Sequence, residues 1–364
     1  MRKLLGIVVA ACFYYSGLVK LARWWRQSLG PRLIILTYHR AAGGDLRSHL
    51  LYLRHHYRMM HLEEALKELY SPSQNGKYRR DRRTLLVLTF DDGYRDNYTH
   101  AFALARELQV PITIFLIPGY IESGEYFWWL VADYLVRHAQ VDEVTIEDRT
   151  YRLRQPGERH LLAQAVSTHL RHSISVAERD AFLATVRKAL AITSPVPSEG
   201  GMCPLTWEQV REMEESGWVS FGAHTMHHPI LASLSDPAEV QREVAECRVV
   251  LEQQLGHPVR TFAYPVGKPE HIGEVGLRSV RDAGYDWAVT TIDGTNTAQS
   301  DPYLLRRVAG EVGRHWLVMA AETAGVWRFF SHLWKNPVVG WMEGRPGLQH
   351  LPGIQHIDVV KGIL

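Results

Sequence analysis

The sequence predicts an α/β fold, an irregular (β/α) barrel, on three observations. Short apolar runs rich in β-branched residues alternate with helix-like segments, giving about seven strands between Leu33 and Val308. Residues able to do chemistry follow those runs directly, where the carboxyl ends of barrel strands gather. Asp91-Asp92 follows one run, His224 to His228 another, and Pro265-Val266-Gly267 a third. The rhythm breaks once, between about residues 118 and 199, as an insertion would break it.

At 364 residues the chain has room for one large domain with additions. Its 46% hydrophobic and 22% charged residues are ordinary for a globular protein. A net charge of +2 argues against a nucleic-acid partner, which selects for a strong basic excess. Cys12, Cys203 and Cys247 are odd in number and have no metal-like spacing, so no disulfide framework is expected.

The amino terminus opens with Met1-Arg2-Lys3 and an apolar run of 16 residues, Leu4 to Val19. A membrane span needs about 20 residues, and a signal-peptide core has roughly 7–15. The run leads into Lys20-Leu21-Ala22-Arg23-Trp24-Trp25-Arg26, a mixture suited to a membrane–water interface. Residues 1–30 are therefore read as a membrane anchor or interfacial helix, with a core helix as the alternative. Membrane association in the cell envelope is expected, and basic residues at both ends leave the side open.

Residues 31–117 begin the barrel. Leu33 to Arg40 reads as the first buried strand, with His39 at its end. Residues 49–70 have helical spacing, and His55, His56 and His61 are read as surface helix and turn rather than a metal site. A basic stretch, Lys77 to Arg83, reads as a solvated linker before the Leu85–Phe90 strand. Asn97 to Leu108 reads as a helix and Pro111 to Ile117 as the next strand, together a parallel βαβ unit.

Residues 118–199 form the mainly helical insertion, with a small hairpin at 141–153. Its aromatics Tyr126, Phe127, Trp128 and Trp129 are read as core, with a stacking surface beside a binding site as the alternative. The barrel resumes over 200–325. Thr206 caps a helix ended by Gly217, and Trp218 to Ala223 is a strand. Asp236-Pro237 starts a helix that stops at Gly256. Strands follow at Val259–Tyr264, Trp287–Thr291 and Leu304–Val308, with a helix at Glu274–Ala283. Residues 326–364 show no clear periodicity and stay unassigned.

His224 and His228 lie four apart, a spacing that puts both rings on one side. Two imidazoles and a carboxylate make a three-ligand site of the Zn²⁺ type with one open position. Adjacent Asp91 and Asp92 would repel unless a cation lies near them. If the metal takes Asp92, the other carboxylate is free to act as a base on metal-activated water.

These motifs resemble the polysaccharide deacetylase family, the NodB-homology or carbohydrate esterase family 4 group, over about residues 83–310. Thr89-Phe90-Asp91-Asp92-Gly93 is its TFDDG motif unaltered, and His224 to Pro229 matches its H-[ST]-x-x-H-P motif. The resemblance implies an irregular (β/α)7 barrel that removes N-acetyl groups from amino sugars with a divalent metal, often zinc. It implies Asp91 as catalytic base and Asp92, His224 and His228 as metal ligands. The expected partner is an N-acetylated polysaccharide or glycolipid.

Two features depart from the family pattern. The third motif carries Ala263 where an arginine is usual and Val266 where a tyrosine is usual. This version resembles the branch acting on β-linked poly-N-acetylglucosamine. A backbone N–H near Val266 is expected to serve the oxyanion. Arg260, Arg306 and Arg307 are the candidates for the missing guanidinium, and Arg307 is carried as the site residue. No Leu-x-His general acid lies between Trp287 and Gly310, leaving His271, His315 or metal-bound water for that role. The alternatives to an active deacetylase are a catalytically impaired sugar-binding or assembly protein and an amidase acting on a small amide.

Overall fold

The computed structural model describes residues 2–71, 81, 83–193 and 200–326. Ten strands occur among them: β1 (Leu33–Tyr38), β2 (Arg58–Met59), β3 (Leu85–Phe90), β4 (Ile112–Leu116), β5 (Glu143–Ile146), β6 (Arg149–Arg152), β7 (Val219–Ala223), β8 (Thr261–Ala263), β9 (Trp287–Asp293) and β10 (Leu305–Ala309). Seven of these form a closed parallel barrel in the order β1-β10-β9-β8-β7-β4-β3, with β3 pairing back onto β1 from Leu33↔Leu85 to Tyr38↔Phe90. The expected irregular (β/α)7 barrel is therefore the fold.

The continuous apolar runs follow from covering both faces of each strand. Side chains alternate, so Leu33, Ile35, Leu85, Val87, Phe115, Val289 and Leu305 fill the barrel interior. Their neighbours Ile34, Leu36, Leu86, Leu88 and Ile114 pack under the outer helices. Helix Leu62–Tyr70 closes the amino end of the barrel, with Leu62, Leu66 and Leu69 joining the interior cluster. The irregularity lies at β3. On one edge it pairs with β2 at Leu85 and Leu86 and with β4 at Thr89 and Phe90.

The interior stripe turns polar toward the carboxyl end. On β1 it passes from Ile35 to Thr37, on β3 from Val87 to Thr89 and then Asp91, and on β10 from Leu305 to Arg307. All four polar residues are buried. The candidate site is thus the polar upper layer of an otherwise apolar barrel core.

Several elements differ from expectation. Residues 49–70 are two helices, Leu46–His56 and Leu62–Tyr70, separated by β2. His61 lies at that break, its ring bonded to the carbonyls of Ile112 and Gly217. The helix after the Asp pair winds as a π-helix over Asn97–Phe102 before becoming α-helical over Ala103–Leu108. The insertion holds helices Trp128–Arg137, Glu158–His172 and Val176–Ala189 and the β5–β6 hairpin around its own cluster, which includes Phe127, Leu135, Leu162 and Val186. The amino-terminal run is two helices, α1 (Arg2–Tyr15) and α2 (Leu18–Ser28), bent by 65°. Gly17 at the bend has φ +84°, a conformation costly for any residue with a Cβ. Among the described residues no single helix is long and apolar enough to cross a membrane. Most of the basic linker (77–80 and 82) and residues 327–364 lie outside the described residues.

Candidate active site

Asp91 follows β3 on the inward face, and its N–H donates to the Tyr38 carbonyl at 2.9 Å. Arg307, inward on β10, meets it with both terminal nitrogens: Nη1 to Oδ1 and Nη2 to Oδ2, each 2.7 Å. This forked geometry is the strong form of an arginine–carboxylate pair. Arg307 Nε donates to the Thr290 carbonyl at 2.8 Å, and Nη1 also reaches Thr89 Oγ1 at 3.3 Å. Burial alone would raise the Asp91 carboxyl. The charge and hydrogen bonds of Arg307 outweigh it and hold the group well below the usual carboxylate range. The other arginine candidates point elsewhere. Arg306, one residue out of phase, is exposed and donates to the Asp293 carbonyl, while Arg260 pairs with Asp286 and Glu63 at the surface.

Asp92 turns away from Asp91 because its backbone enters the left-handed region at φ 72°. That turn sends adjacent carboxylates to different partners. Asp92 Oδ1 lies 3.4 Å from His224 Nε2 and 3.6 Å from His228 Nε2. One ligand atom from each of the three residues falls within 4.8 Å of the others, and all three residues are buried. His224 Nδ1 donates to the Ala263 carbonyl at 2.6 Å, since a carbonyl can only accept. Its Nε2 then faces the Asp92 carboxylate, a pairing that calls for a proton or a cation between them. Asp92 Oδ1 is buried with no hydrogen-bond partner.

The titration behaviour carries the same signature. Burial pushes the His224 pKa down, yet its contact with Asp92 and the charges of Asp91 and Asp92 leave it above the ordinary imidazole value. Burial, reinforced by His224, drops His228 to about 3, so this ring is neutral with a free lone pair. Burial would raise Asp92, but the His224 contact and the surrounding imidazoles hold it low. An anionic carboxylate with an orphaned oxygen, between two imidazole nitrogens, fits a divalent cation held by two nitrogens and one oxygen.

The histidine loop is itself strained and clamped. Thr225 and His228 have φ of 65° and 55°, a conformation that non-glycine residues keep only when their surroundings enforce it. Thr225 Oγ1 accepts from His228 N–H at 2.9 Å. Glu243 accepts from His227 N–H at 2.9 Å and from His227 Nδ1 at 2.6 Å. His227 thus points away from His224 and His228. Two donors come from the insertion: Arg179 Nη1 to the His227 carbonyl at 2.9 Å and Trp128 Nε1 to the His228 carbonyl at 3.0 Å. Gly119 permits the close approach of this region, because a Cβ there would stand 2.5 Å from the Met226 carbonyl.

A cleft of about 420 Å³ opens over these groups, lined by His39, Asp91, Asp92, His224, His228 and Val266 on the barrel side. Val266 has φ 59°, its carbonyl accepts from Thr291 Oγ1 at 2.7 Å, and its N–H has no partner among the described residues. His271 and His315 do not line the cleft. His315 instead caps helix Trp316–Thr323. Besides His224 and His228, the imidazole lining it is His39, half-buried at the end of β1, with no hydrogen bond to its ring among the described residues. The signal available for His39 was its position, directly after a strand like the Asp pair. Its loop is tied down by Asp96, which accepts from Arg40 Nε at 2.7 Å and from the N–H groups of Ala41 and Ala42.

The insertion supplies the opposite wall. Phe127 and Trp128 are buried, in keeping with core, but Trp129 and Trp128 both line the cleft. The Trp129 ring lies 4.4 Å from that of His228, and its Nε1 donates to Tyr94 Oη at 2.8 Å. The aromatic cluster is therefore both core and site wall.

A parallel barrel with an Asp-His-His cluster and a second buried carboxylate at its carboxyl end defines a hydrolase-like site. The sequence matches the polysaccharide deacetylase family over residues 78–288, more than half of the chain. The chain belongs to the polysaccharide deacetylase family. It is 22% identical over 289 residues to YxkH of Bacillus subtilis (strain 168), named as a polysaccharide deacetylase, covering 78% of this chain and 74% of that protein. Its fold is similar to that of the Streptococcus pyogenes deacetylase PplD in complex with acetate (TM-score 0.51, 18% identity, 80% of this chain and 97% of the other). It is likewise similar to IcaB from Ammonifex degensii (TM-score 0.51, 20% identity, 80% and 97%).

Proposed function

We propose that the chain is a metal-dependent hydrolase that removes N-acetyl groups from an amino-sugar polysaccharide or glycoconjugate. One observation carries the reading: an orphaned Asp92 oxygen between two imidazoles, next to a carboxylate kept ionised by a buried guanidinium. A divalent cation of the Zn²⁺ type, held by Asp92, His224 and His228, would supply Lewis-acid activation of water and of the acetamide carbonyl.

The chain's own groups account for the remaining work. Asp91, ionised and oriented by Arg307, accepts the proton of the attacking water. The Val266 N–H donates to the oxyanion as the carbonyl carbon becomes tetrahedral. His39 delivers a proton to the departing sugar nitrogen, and acetate and a free amine leave. Trp129 and Tyr94 line the cleft and give it an aromatic wall, a surface of the kind that the apolar side of a pyranose packs against. A catalytically impaired binding protein would lack both a guanidinium on Asp91 and an imidazole near the amine; Arg307 against Asp91 and His39 in the cleft speak for the active enzyme.

The test is acetate release from N-acetylglucosamine oligomers and from small amides, using protein stripped with chelator and reloaded with Zn²⁺, Co²⁺, Ni²⁺ or Mn²⁺. Turnover of the oligomers that vanishes on stripping and returns on reloading supports the reading. Native protein that turns over no acceptor with any metal refutes it, and turnover of small amides alone reassigns it as an amidase.

A further inference from the structure

We propose that α1 and α2 form an in-plane dock for an anionic lipid bilayer, lying on the membrane surface rather than crossing it. Nine of the fifteen large apolar side chains exposed among the described residues fall between Leu4 and Leu29. Scattered exposure of this kind is normal, but concentration on one element marks an interaction surface. Leu4, Leu5, Val8, Leu21, Trp24 and Trp25 all face outward, Trp24 at 64% exposure.

The inner face of the same pair is already used. Val19 packs with Ala321 and Ala324, flanked by Phe13, Tyr14 and Ala22. Tyr14 stands edge-on to Trp316 at 5.1 Å, and Arg23 donates to Tyr52 Oη at 3.1 Å. The pair is thus packed against helix Trp316–Thr323 on its inner side, and its outer side is rich in apolar side chains with Lys20 among them. The 14 residues of α1 extend about 21 Å, against about 30 Å of hydrocarbon in a bilayer. The 65° bend at Gly17 keeps α2 from completing a span in line with α1.

Charge selects the occupant. Before residue 33 the chain carries six basic residues (Arg2, Lys3, Lys20, Arg23, Arg26 and Arg32) and no Asp or Glu. A second copy would bring no carboxylate from this segment to meet Lys20, which is exposed, or Arg23, Arg26 and Arg32, which are part-buried. Residues 327–364 carry four basic and two acidic residues, so they too are positive (4 − 2 = +2). An anionic headgroup layer meets both the charge and the tryptophans, which favour the level of the headgroups.

The test is flotation of the full chain with vesicles of phosphatidylcholine alone or with about 30% phosphatidylglycerol, at low and high salt. Association with the anionic vesicles is expected to weaken at least about tenfold in Trp24→Ser/Trp25→Ser. It should weaken by about tenfold in Lys20→Glu, and also with salt. Cys12 is exposed while Cys203 and Cys247 are buried, so a fluorophore on Cys12 reports depth. Quenching strongest by lipids brominated near the headgroup is the expected result. Strongest quenching from the acyl-chain ends would mean a spanning segment and overturn the proposal. Equal binding to neutral vesicles, or no vesicle binding together with self-association lost in the tryptophan variant, would overturn it as well.

Discussion

Replacing Arg307 with methionine tests how the site keeps Asp91 ionised. Methionine retains most of the apolar stem but removes both 2.7 Å hydrogen bonds to Asp91 and the bond to the Thr290 carbonyl. Asp91 and Arg307 are 2% and 1% exposed, so water reaching Asp91 from the cleft replaces little of the lost partner. Removing one partner of a buried pair costs about 3–5 kcal/mol. The pH dependence should also reverse. In the native protein the folded Asp91 pKa is depressed below the ordinary carboxyl value of 3.8. Its stabilising contribution is therefore complete above that value and is lost as pH falls through the folded pKa. In Arg307→Met, burial dominates and the folded pKa rises above 3.8. Ionising Asp91 then opposes folding, and the deficit grows as pH rises from 3.8 and is full above the new folded pKa. Urea unfolding in chelator at pH 5 and pH 8 measures both effects. Asp91→Asn/Arg307→Met should recover much of the loss, because no buried charge remains. A single-variant loss below about 1 kcal/mol, or a deficit that shrinks as pH rises, would refute the reasoning.

Other predictions address the chemistry. Asp91→Asn removes the proton acceptor and should lower turnover by about 10²–10⁴-fold while Zn²⁺ still binds in calorimetry; retained turnover would remove Asp91 from that role. His228→Ala takes away one of three ligand atoms and should weaken Zn²⁺ binding at least about 100-fold, measured by competition with a chelator. Arg179→Met, far along the chain in the insertion, loses the donor to the His227 carbonyl and should weaken Zn²⁺ binding by about 10–100-fold. A variant with unchanged metal affinity would make that clamp structural only. His39→Gln should lower kcat by about 10²-fold or more and flatten the alkaline limb of the pH–rate profile, and an unaltered profile would free His39 of proton transfer.

Short-range pattern made the barrel legible. Its strands are apolar on both faces, so each reads as an uninterrupted run, and the two main motifs each sit whole in a few residues directly after such a run. Asp91-Asp92 and His224 to His228 could therefore be proposed as partners across more than 130 positions of chain. The insertion stood out because it interrupts the same rhythm, and its hairpin alternates visibly. The amino-terminal run was legible as apolar with an interfacial end, but its 65° break at Gly17 was not.

The sequence by itself determined the strand rhythm, the Asp pair, the histidine pair and the basic, tryptophan-bearing start. Tertiary structure alone decided which arginine meets Asp91. Arg260, Arg306 and Arg307 all stood as candidates in one dimension, with Arg307 carried as the site residue. Closure of β3 onto β1 and of β1 onto β10 brings Arg307, 216 positions from Asp91, onto the same inward stripe and turns Arg306 outward. It also decided that His39 rather than His271 or His315 faces the cleft, and that the insertion donates hydrogen bonds to the histidine loop. The physical reason is common to all three. Local sequence sets the alternation of side chains within a strand, whereas only the register of a closed sheet determines which alternating residues from distant strands share a layer.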